Sequence, residues 1–175
     1  MFLGVGCVAI SSGKEVTRET AARSSAASTR EKLIGSRFGI PVTPHALSAF
    51  PLLMATHPTP KNITFARRPD IRALALQGCA TPDHVIRTKR LPMLGRNVAQ
   101  YATDYAQSFA AYAARAGTGL TMLDPAPRIV LDQHLGLCAF GKTAQDCAVA
   151  AEIYDHTIEI ILRAHALGGW CASGE

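Results

Sequence analysis

The chain has 175 residues, 48% hydrophobic and 6% aromatic, with 18 Lys+Arg against 13 Asp+Glu. That length suits one domain, and that hydrophobic share supplies a core. The basic excess lies upstream: residues 1–60 hold six basic and three acidic residues, leaving twelve and ten (18 − 6 and 13 − 3) over 61–175, with no basic face of the kind that binds nucleic acid.

Five cysteines stand in no C-x-x-C spacing, which argues against a zinc ribbon or a dithiol redox motif and suits a reducing cytoplasm. The opening MFLGVGCVAI is apolar but lacks the basic n-region of a secretory signal. No run reaches the ~20 apolar residues of a membrane span. Residues 11–37 are rich in Ser, Thr, Ala and Arg, and 41–60 carry five prolines without a sustained period. Residues 1–66 are therefore expected to form a poorly structured lead, 67–170 the folded part and 171–175 a tail.

In RRPDIRALALQG, Pro69 and Asp70 open a short helix to about Gln77, with Gly78 in the C′ position. CATP is a loop, since a residue before proline avoids helical geometry. HVIRTKRL is expected as a strand, with Arg87 and Lys89 on one face and His84 and Ile86 on the other. Val98, Tyr101, Tyr105, Phe109 and Tyr112 recur at helical spacing up to Gly117. RIVLD (128–132) is a β-branched strand, LCAF (137–140) a second short apolar run, and Gly141 a turn.

Thr143 and Asp146 then form a capping pair for the longest helix. Its buried face is Cys147, Ala151, Tyr154, Ile158 and Ile161, and Gly168-Gly169 ends it. The class is α/β, with short strands covered by two long helices.

Three clusters carry candidate chemistry. Asp83-His84 with Arg87 and Lys89 offers an imidazole with a carboxylate beside it, and two cations suited to a phosphate. Spacing alone favours an edge strand with ordinary surface charges. His134, at a strand end in LDQHLG, is either a site residue or a surface-loop histidine. Asp155, His156, Glu159 and His165 on the last helix read as a solvated face, as do Glu152 and Arg163. The sequence holds no dinucleotide loop, G-x-S-x-G or H-x-H.

RRPDIRALALQGCATPDHVIRTKRLP and MLDPAPRIVLDQHLGLCAFGKTAQDCAVAAEIYDHTIEII together resemble the C-terminal part of the class II aldolase/adducin domain. The likeness, over roughly 67–170, is to that domain in bifunctional rhamnulose-1-phosphate aldolase/short-chain alcohol dehydrogenases. It implies a mostly antiparallel sheet and a lyase that uses Zn2+ or another divalent metal to polarise a ketose-phosphate carbonyl. It also implies a small-molecule sugar phosphate as partner, no nucleic acid or membrane, a homo-oligomer, and a cytoplasmic location.

On this reading Asp83 and His84 are catalytic, Arg87 and Lys89 bind the phosphate, and His84 and His134 are metal ligands. The family's upstream H-x-H ligand pair finds no match in residues 1–66. The usual third histidine position, just before Gly136, is Leu135, with His134 one residue away. The alternatives are a catalytically inactive truncated remnant and an adducin-like interaction module.

Overall fold

The computed structural model describes residues 7–10 (as backbone), 48, 51–117 and 119–172. Five strands form one sheet in the order β1-β2-β5-β4-β3, where β1 is Cys7–Ile10, β2 Leu52–His57, β3 Met93–Leu94, β4 Ile129–Asp132 and β5 Gly136–Gly141. The pairs β1–β2, β2–β5 and β5–β4 are antiparallel, and the two-residue β3 runs parallel to β4.

Alternation along the strands divides the buried residues between two faces. Ala55, Ile129, Leu131, Leu137 and Ala139 face the main core, where they meet Phe65, Leu74 and the apolar face of the last helix. Met54, Val130 and Cys138 face the other side, with Met93 and the partly buried Val98, Tyr101 and Phe140. Because β4 is covered on both faces, all four of its residues are buried. A continuous apolar run is what such a strand needs.

Among the described residues five helices complete the fold: α1 Pro60–Ala66, α2 Ile71–Ala75, α3 His84–Thr88, α4 Val98–Ala116 and α5 Ala144–Ala166. The capping box of α5 is formed, with the Thr143 hydroxyl accepting from the Asp146 amide and Asp146 accepting from the Thr143 amide. The face read from the sequence (Cys147, Ala151, Tyr154, Ile158, Ile161) is buried. Gly141 lets β5 run straight into this helix: a Cβ there would lie 2.6 Å from the Asp146 Cβ. α4 begins and ends as its periodicity predicts, but none of its residues is fully buried.

Three expectations need correction. The lead assigned to residues 1–66 ends too late, because β2 lies inside the sheet between β1 and β5, and α1 buries Asn62, Phe65 and Ala66. Residues 11–47 of that lead lie outside the described residues. The helix expected over 69–77 is shorter, Ile71–Ala75, and Asp70 makes no side-chain cap hydrogen bond.

The expected strand at HVIRTKRL is helical over His84–Thr88. There Thr88 returns its hydroxyl to the His84 carbonyl at 2.9 Å and the turn packs on α5. Tertiary packing outweighs the β-branched composition of so short a segment.

Candidate functional site

A cleft of about 390 Å3 opens where α1 and α2 meet the β4–β5 hairpin. Its polar lining is Arg72, Arg96, Asp132, Gln133 and His134. The hairpin explains the arrangement. Asp132 ends β4, and its Oδ1 accepts from the His134 and Leu135 amides at 2.8 and 3.0 Å, closing the turn. Gly95, at φ +75°, turns the chain after β3 and donates its amide to the Leu131 carbonyl. Arg96 thereby returns to Asp132 in a two-pronged pair, Nε to Oδ2 at 2.6 Å and a terminal nitrogen to Oδ1 at 3.1 Å.

Burial alone would push the Asp132 carboxyl up. The Arg96 hydrogen bond, the two amides and the Arg96 charge together outweigh burial and hold it at about 2. Arg72 lies exposed on the opposite wall, with no ion pair to its guanidinium among the described residues. A neutralised arginine and an open one on a single cleft form a rim suited to an anion.

The block Asp83–Lys89 is placed differently. Asp83 is exposed beside His84, which packs between α3 and α5. The Thr157 hydroxyl donates to the Ile153 carbonyl at 3.1 Å, so it accepts the Nδ1–H of His84 at 3.2 Å. Burial lowers the affinity of His84 for a second proton, nearby His156 lowers it further, and Asp83 opposes both.

Arg87 and Lys89 do not share a face, since the expected strand is a helix. Arg87 lies 3.9 Å from Asp146 and is largely exposed. Lys89 is buried at φ +60°, donates to the Asp124 carbonyl and sits 4.0 Å from the centre of the Tyr105 ring. Burial pushes its ammonium down to about 8, against the opposing charge of Asp124. The two cations are therefore separate, each with its own neighbours.

His134 is exposed on the cleft, and the residues lining that cleft do not include His84. The two expected metal ligands thus sit in different surroundings. On α5, Asp155 and Glu159 are not simply solvated: Lys61 bridges them at 2.6 and 2.9 Å. His165 stands 3.8 Å from Asp70. Asp132, the buried carboxylate that organises the cleft, was not singled out in the sequence. Its signal was an aspartate at a strand end, two and three residues before the amides it accepts from.

The family model for the second domain of class II aldolases matches residues 41–173. The chain belongs to the class II aldolase family. The match takes in β2 and α1, upstream of where the sequence resemblance begins. No curated protein and no solved structure matches the chain significantly. The likeness to the bifunctional rhamnulose-phosphate enzymes is finer than this family assignment.

Class II aldolases are in general divalent-metal dependent. Among the described residues, however, no three His, Cys, Asp or Glu side chains converge. The three protein ligands of a catalytic zinc are thus not provided by the described part of this class II aldolase domain. No helix in it is long and apolar enough to cross a membrane.

Proposed function

We propose that this class II aldolase domain binds a ketose phosphate of the rhamnulose 1-phosphate type in the cleft at the β4–β5 hairpin, as the substrate of an aldehyde-lyase. The observation that carries the reading is the convergence of Arg72, Arg96 and His134 on one cleft. That cleft borders the hairpin on which the family resemblance places a functional histidine. Two guanidiniums are the natural seat for a phosphate, because their N–H groups match its oxygens in pairs. The Asp132 carboxylate fixes Arg96 in advance, so less side-chain freedom is lost on binding. Gln133 and His134 are within the same rim to meet sugar hydroxyls. No step through a metal is derived, since the described residues do not supply its ligands.

Titration calorimetry with L-rhamnulose 1-phosphate and with dihydroxyacetone phosphate tests binding, and a coupled assay for dihydroxyacetone phosphate tests cleavage. Arg72→Ala should weaken binding of both phosphates tenfold or more without changing Tm by more than about a degree. Equal affinity in wild type and Arg72→Ala would overturn the cleft assignment. Tight binding with no turnover at any added divalent metal would favour the alternative of an adducin-like binding module.

A further inference from the structure

We infer that His84 and His156 form a two-histidine site for a divalent transition metal, bridging helices α3 and α5. The rings meet edge to face, with centroids 6.1 Å apart and planes at 64°. Two imidazoles sharing a tetrahedral ion, each nitrogen at about 2.0–2.1 Å, have centroids roughly 5 Å apart. The adjustment needed is roughly 1 Å, and His156 is an exposed side chain on an outward position of α5.

His84 is already prepared as a ligand. The hydroxyl of buried Thr157 gives its proton to the Ile153 carbonyl and takes the Nδ1–H of His84. This leaves the lone pair on Nε2. A metal-binding histidine typically has its second nitrogen fixed by just such a partner.

The charge around the pair favours a cation. Asp83 precedes His84 directly, and Glu152 stands one helical turn before His156, both exposed. The cation closest in sequence on α3, Arg87, lies near Asp146.

Two nitrogen ligands with the remaining positions open to water suit Ni2+, Cu2+ or Zn2+, which prefer imidazole, over Mg2+ or Ca2+, which prefer oxygen. The pair meets the description of a two-ligand site, consistent with no group of three metal-binding side chains among the described residues. It shares no residue with the cleft and does not depend on the aldolase reading.

The test is titration calorimetry of the tag-free full chain with Ni2+ at pH 7.5. The chain has six histidines, so variants elsewhere serve as controls. One saturable site of micromolar Kd is expected, weakened tenfold or more by His84→Gln and by His156→Gln. His134→Gln and His165→Gln should leave it unchanged. Ni2+ should raise the Tm of the wild type and not that of His156→Gln. If His84→Gln fails to fold through loss of the Thr157 bond, His156→Gln, on an exposed position, decides alone. No saturable binding by the wild type, or an unchanged Kd in His156→Gln, overturns the inference.

Discussion

Asp132→Asn isolates the charge that holds the cleft together. The side chain is 5% exposed and its oxygens accept from Arg96, His134 and Leu135. Asparagine keeps the shape but replaces one acceptor oxygen with a donor, which meets either the guanidinium or the turn amides. The Arg96 hydrogen bond and the two amides hold the native carboxyl at about 2, below an ordinary 3.8. That difference corresponds to roughly 2 kcal/mol at neutral pH.

The folded carboxyl holds its proton more weakly than the unfolded one. The contribution is therefore fully present above about pH 4 to 5 and is lost as the pH falls towards 2. Urea denaturation of wild type and Asp132→Asn should differ by about 2–3 kcal/mol at pH 7. The gap should fall to roughly half of that at pH 3. With about 2–4 °C per kcal/mol for a chain of this size, the Tm at pH 7 should drop by about 4–12 °C. A gap that stays constant from pH 7 to pH 3, or one below about 0.5 kcal/mol at pH 7, would refute the assignment of this stability to the charge.

Ile158, fully buried on α5, should cost about 2–5 kcal/mol as Ile158→Ala in chemical denaturation, against about 1 kcal/mol for Thr143→Ala, which removes only the cap; equal losses would mean that α5 is not docked on the sheet. Lys89 carries a depressed pKa of about 8 against an ordinary 10.5. The unfolded chain therefore binds more protons between those values, and wild-type stability relative to Lys89→Met should rise across pH 8 to 10.5 by up to about 3 kcal/mol. A flat difference over that window would count against the burial of Lys89. Gly136 and Gly95 have φ of +70° and +75°, but a Cβ at Gly136 would lie 3.0 Å from the His57 carbonyl, whereas one at Gly95 meets nothing within 4 Å. Gly95→Ala should cost about 1–2 kcal/mol in thermal melts and Gly136→Ala clearly more; the reverse order would refute the packing of the hairpin on α1.

The helices with long apolar periods were legible in the sequence. α4 and α5 appear where their spacing placed them, and α5 is bounded by its capping box because that signal is local. β4 and β5 were legible as short apolar runs between turn residues. β2 was not: LLMATH lies in a proline-rich stretch, and its membership of the sheet is set by β5, far along the chain.

The start of α1 did carry a local sign, Thr59 followed by Pro60 at the first helical position, and the Thr59 hydroxyl accepts from the Asn62 amide. His84–Thr88 misled because five β-branched and polar residues have too little propensity to resist packing against α5. The cleft was legible only as His134; Arg72, Arg96 and Asp132 come together through a turn at Gly95 and a strand end, which no spacing reports.

Leu53 of β2 pairs with Gly141 of β5, 88 positions later (141 − 53), so the middle of the sheet joins distant parts of the chain. Closing so long a loop is entropically costly before any contact rewards it, which makes folding slow relative to a helical bundle of similar size. During synthesis, Leu52, Met54 and Ala55, all buried in the finished sheet, must wait for nearly the whole chain to emerge before β5 can cover them. At about 5–20 residues per second that wait is several seconds with an apolar strand edge uncovered. That interval, rather than the stability of the finished sheet, is where this domain is most open to aggregation.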